Sequence, residues 1–176
     1  MKRLAYVSIV IATVFLLVNP STAELEPGDR PSLEVTTVDG TDIDLTDWRD
    51  RVVLIDFWAT WCPPCRVSFP FYRSLAEKYD DEHFRVLAVS VDEEKRAVSK
   101  FLEKHDVPFA VTVDSDHKLV SKFKPDSMPT CYLVGPDGRI RYVHEGFEES
   151  DESELSERIA SLVEEAKRSD DSEERE

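Results

Sequence analysis

Two thiols dominate the chemistry this chain could perform: Cys62 and Cys65, separated by Pro63 and Pro64. Cysteines three residues apart at a helix start can close a disulfide, and the thiolate is their reactive form. The first, Cys62, is expected to remain exposed at the positive end of the helix dipole, which lowers a thiol pKa. It is therefore the expected nucleophile, able to form a mixed disulfide. Cys65, one turn deeper, is the expected resolving thiol that attacks this intermediate and releases the product. Two other uses of the pair are less well supported. A purely structural bridge closing so small a loop constrains little of the unfolded chain. A zinc site would want further ligands, yet no second Cys pair exists and His83, His105, His117 and His144 show no ligand spacing.

These thiols need a rigid mount. Val52 to Trp58 is almost continuously apolar, the pattern of a strand buried on both faces. Pro63 and Pro64 suit the first turn of the following helix, where their missing amide hydrogens would have had no partner. Asp56 interrupts the apolar strand. Buried without a cationic partner, its carboxyl should have a raised pKa and be able to take a proton from Cys65; a carboxylate satisfied by a backbone or solvent contact is the alternative. Along the helix, Val67, Phe71, Leu75 and Tyr79 recur every four residues beside Tyr72 and Ala76, predicting a broad apolar face, with Pro70 expected to bend it.

The run Asp56-Phe57-Trp58-Ala59-Thr60-Trp61-Cys62-Pro63-Pro64-Cys65 resembles the active site of the thioredoxin superfamily. Its wording is most similar to the secreted TlpA/ResA-like branch, over about residues 27–147. Met128-Pro129-Thr130 falls where that family places a cis-proline facing the dithiol. The resemblance implies a thioredoxin-like α/β fold: a mixed central sheet with helices on both faces, an N-terminal hairpin and a central helix-containing insertion. It also implies a substrate rim of Trp61, Pro63, Pro64, Met128, Pro129 and Thr130, with Met128 offering its backbone to a substrate chain. A buried acid six residues before the first Cys matches Asp56, although the TlpA/ResA branch often has Asn there. Many relatives carry Glu three residues after the second Cys, where this chain has Ser68. The implied activity is protein-disulfide reduction without a cofactor, with haem-attachment cysteines in cytochrome c maturation a substrate of the branch and a membrane-bound electron donor expected.

The remaining pattern fits that architecture. Residues 33–38 and 41–45 read as strands around the Asp39-Gly40 turn, and 84–91 as another buried parallel strand. A helix over 93–105, a strand over 109–113 and a short helix over 115–123 follow. Residues 131–134 and 140–143 flank Pro136-Asp137-Gly138 as a second hairpin. A last helix over 151–168 presents Leu155, Ile159, Leu162 and Val163 inward, with Asp151 and Glu154 suited to its start. Cys131 is an odd third thiol, expected to be buried and inert on its strand.

Charge and targeting narrow the setting. The net charge of -15 argues against nucleic acid as a partner. From residue 147 to 176 the chain holds 13 acidic and 4 basic side chains, so most of the excess belongs to this end. Lys2-Arg3, an apolar core over 4–18 and small residues before a cut after Ala23 read as a secretory signal, either removed or kept as an anchor. Both outcomes place the domain outside the cytoplasm, in the periplasm or its equivalent. The expected division is 1–23 leader, 24–31 linker, 32–168 a single thioredoxin-like domain and 169–176 an acidic disordered tail, in a monomer. Two rivals are a peroxiredoxin-like thiol peroxidase and a thioredoxin-fold binding module without catalysis. The first would want Thr three residues before the nucleophile, where this chain has Ala59.

Overall fold

Strand β3 (Val52–Trp58) is the spine of the molecule, and all seven of its residues are buried. The computed structural model describes residues 24–79 and 83–173. Ahead of β3, β1 (Glu34–Thr36) and β2 (Asp42–Asp44) pair antiparallel as a small separate hairpin. Gly40 has a φ of +90° at its turn, a conformation that costs a glycine little. A 3-10 turn, Leu45–Trp48, then leads toward the spine.

After β3 come α1 (Pro63–Lys78), β4 (Phe84–Ser90), α2 (Lys95–Leu102), β5 (Ala110–Val113) and α3 (Lys118–Phe123). Strands β6 (Thr130–Val134) and β7 (Ile140–Glu145) form the second hairpin, and α4 (Glu152–Glu173) closes the described chain. The five-stranded sheet runs β5-β4-β3-β6-β7. β3 pairs parallel with β4, and β4 with β5, whereas β6 pairs antiparallel with both β3 and β7. Two parallel connections through helices explain why β3 and β4 are apolar on both faces.

The two faces of β3 serve different cores. Val53, Ile55 and Phe57 pack with Leu45, Trp48, Phe123 and Tyr132. Val52 and Leu54 pack with Phe71, Tyr72, Leu75 and the inward side of α4, Leu155, Ile159, Leu162 and Val163. Fully burying one such side chain contributes about 1.5–3 kcal/mol, so β3 alone carries a large share of the hydrophobic stabilisation. Trp58, further along the second face, joins Phe69, Val98 and Phe101 around the two thiols.

Two local expectations are corrected. Val67 is 41 % exposed, so it does not belong to the buried face of α1. That face instead carries Cys65, Ser68, Phe69, Phe71, Tyr72 and Leu75, because the helix turns 3.6 residues per cycle and a strict four-residue stripe drifts off it. The final helix continues to Glu173 instead of ending at residue 168. The proposed leader, 1–23, lies outside the described residues, as do 174–176 at the end of the proposed tail. Among the described residues no helix is long and apolar enough to cross a membrane.

Candidate active site

Cys62 is the residue that caps α1. Its backbone is extended, and its sulfur accepts a hydrogen bond from the Cys65 amide at 3.3 Å. Its own amide donates to the Ala59 carbonyl at 3.1 Å, closing the turn between strand and helix. The two cysteines form a disulfide with an S–S distance of 2.05 Å and Cα atoms 5.4 Å apart. Contrary to the expectation of an open Cys62, the residue is only 3 % exposed. The bridge draws its sulfur onto Cys65 and into the cluster of Trp58, Ala59, Phe69 and Val98. What faces solvent is the rim: Trp61 is 64 % exposed, Pro63 is exposed and Pro64 half-buried.

The loop carrying Cys62 is tied to the end of β4. Asp92, itself buried, accepts from the Thr60 amide at 2.8 Å, the Thr60 hydroxyl at 2.7 Å and the Ser90 hydroxyl at 2.8 Å. Arg66 donates to the Thr60 carbonyl at 2.8 Å from the other side. Sequence reasoning missed Asp92. The signal available was an acid directly after an apolar parallel strand, the first of Asp92-Glu93-Glu94, at the strand end where open α/β sheets place their sites.

Asp56 lies fully buried on the β3 face that α1 covers. One oxygen accepts from the Tyr72 hydroxyl at 3.2 Å, and the other has no hydrogen-bond partner. Burial pushes the carboxyl well above the usual Asp range, and the Tyr72 hydrogen bond opposes that shift only in part. Tyr72 is raised by its own burial and then by the neighbouring Asp56 charge. Trp58 is buried and packs in the core around the two cysteines with Phe69 and Phe101.

The Met128–Pro129 peptide is cis. Met128 is half-buried in the same cluster as the thiols, whereas Pro129 and Thr130 are buried. The Thr130 hydroxyl donates to the Ser127 carbonyl at 2.8 Å, and its backbone pairs with Phe57 and Glu145. Thr130 therefore shapes the turn from inside while Met128 and Trp61 supply side chains to a cleft of about 610 Å³ beside the loop. Asp92, Glu93, Glu94, Val120 and His117 also line it. A second cleft of about 480 Å³ lies under the hairpin, between Trp48 and Phe109, and holds neither cysteine.

Cys131 is free and buried, directly opposite Asp56 in the β3–β6 ladder. Burial, and then the Asp56 charge, push its thiol far above the ordinary range. Thiol counting on the oxidised protein should accordingly find one thiol that reacts only after unfolding; rapid labelling of the native protein would contradict this. Among the described residues, the carboxylates of Glu24, Asp126 and Glu145 are the one group close enough to share a metal ion. They lie at the surface and include no Cys or His.

A parallel strand delivering a dithiol to a helix start, opposite a cis-proline and above a buried acid, defines a thioredoxin-fold dithiol site. The profile of the Redoxin family matches residues 26–159, and the chain belongs to that family. Among curated proteins it is 32 % identical over 109 residues to thiol-disulfide oxidoreductase ResA of Oceanobacillus iheyensis, covering 62 % of this chain and 57 % of that protein. The Bacillus subtilis ResA is 31 % identical over 115 residues, covering 65 % of this chain and 64 % of its own length. The chain thus spans less than two thirds of these relatives. Among solved structures, a Chlorobium tepidum chain assigned as a thiol:disulfide interchange protein, DsbE, superposes with a TM-score of 0.76 at 32 % identity. That match covers 80 % of this chain and 99 % of the other.

Proposed function

We propose that the protein is a thiol-disulfide oxidoreductase that reduces disulfides of protein substrates through the Cys62–Cys65 pair. The observation that carries this reading is the disulfide itself, closed at the capped end of α1 and bordered by Trp61 and the cis Met128–Pro129 peptide. In the reduced protein the Cys62 thiolate attacks one sulfur of a substrate disulfide. The substrate S–S bond breaks, a mixed disulfide forms and one substrate thiol leaves. Cys65 then gives its proton to the Asp56 carboxylate and attacks the Cys62 sulfur, expelling the second substrate thiol. Two electrons have passed to the substrate. An external dithiol donor, for which a membrane-bound protein is our expectation, returns the bridge to the dithiol.

In this scheme the cleft beside Thr60 receives the substrate chain, with Trp61 on its lining, Pro63 and Pro64 following Trp61 and Cys62 as the further substrate rim, and the Met128 backbone beside the cis-proline available for strand-like pairing. The names of the ResA and DsbE relatives support the chemistry. The basic, apolar and small-residue pattern of residues 1–23 supports work outside the cytoplasm. Haem-attachment cysteines are the substrate class that the TlpA/ResA resemblance favours.

The direction of electron flow depends on how strongly the Cys62 thiolate is stabilised. No cation stands between the cysteines, and the two prolines bring no donor. An ionised Asp56 would raise the thiol pKa further. Equilibration with glutathione should therefore give a potential near thioredoxin's, about -270 mV, and not near that of the strong oxidant DsbA, about -120 mV. A value above roughly -180 mV would make the protein an oxidant or isomerase instead.

A further inference from the structure

Helix α1 turns toward the sheet a polar strip of which the thiol exchange itself uses only Cys65. Cys65, Ser68 and Tyr72 follow one another at steps of three and four residues, the spacing of one helix face. All three are buried. The Ser68 hydroxyl donates to the Cys65 carbonyl at 3.1 Å and also bears on the Tyr72 oxygen. From the sheet, the Cys131 thiol faces the same oxygen. A phenol has a single hydrogen to donate, and here it goes to Asp56 Oδ1 at 3.2 Å. Oδ2 is left without a partner in a fully buried carboxyl.

We propose that Tyr72 is the positioning residue for proton transfer in this site: by holding Asp56 Oδ1 it leaves Oδ2 as the oxygen that receives the Cys65 proton, and it sets how readily the carboxyl takes that proton up. This rests on the reading of Asp56 as the proton acceptor given above. The surroundings leave Tyr72 as the only strong lever. From α1 the polar groups are Tyr72, Ser68 and the two thiols of the bridge. β6 contributes Cys131, and β4 sets Ala88 beside Asp56. α4 adds only Leu155, Ile159, Leu162 and Val163 to this core. No cation among the described residues acts on the carboxyl. A donated hydrogen bond favours the ionised form, so its removal should make Asp56 hold its proton to higher pH.

The test is the pH profile of the resolving step, followed in a single turnover from a mixed disulfide preformed on Cys62. Tyr72→Phe should move the limb that reports Asp56 upward by about one to two pH units, the worth of one hydrogen bond to a charged group. Below the wild-type midpoint this slows resolution about tenfold per unit. Carboxyl titration of the reduced protein by infrared spectroscopy should show the same displacement. Fluorinated tyrosine at position 72, a more acidic donor of nearly the same shape, should shift the limb downward. In an Asp56→Asn background, Tyr72→Phe should change nothing. A midpoint unmoved by both replacements, or an equal rate loss with and without Asp56, would show that Tyr72 merely packs. Should Asp56→Asn itself retain the wild-type limb, the proton acceptor is another group, and the role of Tyr72 falls with it.

Discussion

Replacing Cys65 with serine should leave substrates covalently captured on Cys62, with turnover reduced about a thousandfold or more, the scale of loss when one member of a catalytic unit is removed. The reason lies in the geometry of the bridge. Cys65 is the thiol bonded to Cys62 one helical turn away, while Cys131 is buried in the ladder opposite Asp56. Serine at position 65 can still accept the helix packing but cannot expel the substrate. Non-reducing electrophoresis of the variant should show thiol-sensitive adducts that Cys62→Ser lacks. Their absence from both variants, with disulfide reduction retained, would remove the pair from the chemistry.

Asp56→Asn should have two large effects with separate readouts. Resolution of the mixed disulfide should slow about 100-fold, at the lower end of general acid–base contributions, while the first attack by Cys62 stays nearly intact. Stability should change in the opposite sense. Between the pKa of an unfolded Asp, about 3.9, and its raised folded value, the native protein binds a proton that the unfolded chain has released. The stability of the wild type is therefore greatest, for this group, below pH 4 and falls as pH rises, by about 1.4 kcal/mol per unit of the shift. Asparagine removes that slope. Denaturant unfolding of the two oxidised proteins from pH 4 to 8 should show the variant gaining steadily on the wild type. Parallel curves would mean that the carboxyl is not perturbed. The lowered carboxyls of Asp39, Asp44, Asp116 and Glu154 do not confuse the comparison, since both proteins carry them and the stability they lose as pH falls toward their folded values cancels in the difference.

The spine and the dithiol loop were the most legible part of the chain. An unbroken apolar strand followed by two prolines reads the same way locally and in the fold, so the bounds of β3 agree residue for residue with those read from the sequence. The mixed sheet and both hairpins were legible for the same reason, since Asp39-Gly40 and Pro136-Asp137-Gly138 are strong local turns. Where reasoning failed, tertiary partners decided. The burial of Cys62 is set by Trp58, Phe69 and Val98, none of which its own neighbours in sequence reveal. Ser68 was read as a departure from a family pattern, but its place on the helix face that meets the sheet is visible only when Cys65 and Tyr72 are counted with it. Asp92 lies 32 positions from Thr60, a contact no short-range pattern encodes.

The segment before β3 has a further effect, on how the molecule keeps to itself. Thr37 bridges to Thr112, the Val38 amide donates to the Val111 carbonyl at 2.8 Å and the Thr112 hydroxyl donates to the Thr36 carbonyl, so the β5 margin of the sheet is covered. At the opposite margin the Gly28 amide donates to the Ile140 carbonyl at 2.8 Å, and the Ile140 amide to the Asp29 carbonyl at 2.9 Å. One stretch of eleven residues, 28–38, thus occupies backbone groups on both outer strands. Exposed strand margins recruit other chains into aggregates. An unfolded chain with strands of its own to pair consequently meets backbone already engaged at these margins, which keeps it from adding to the sheet there.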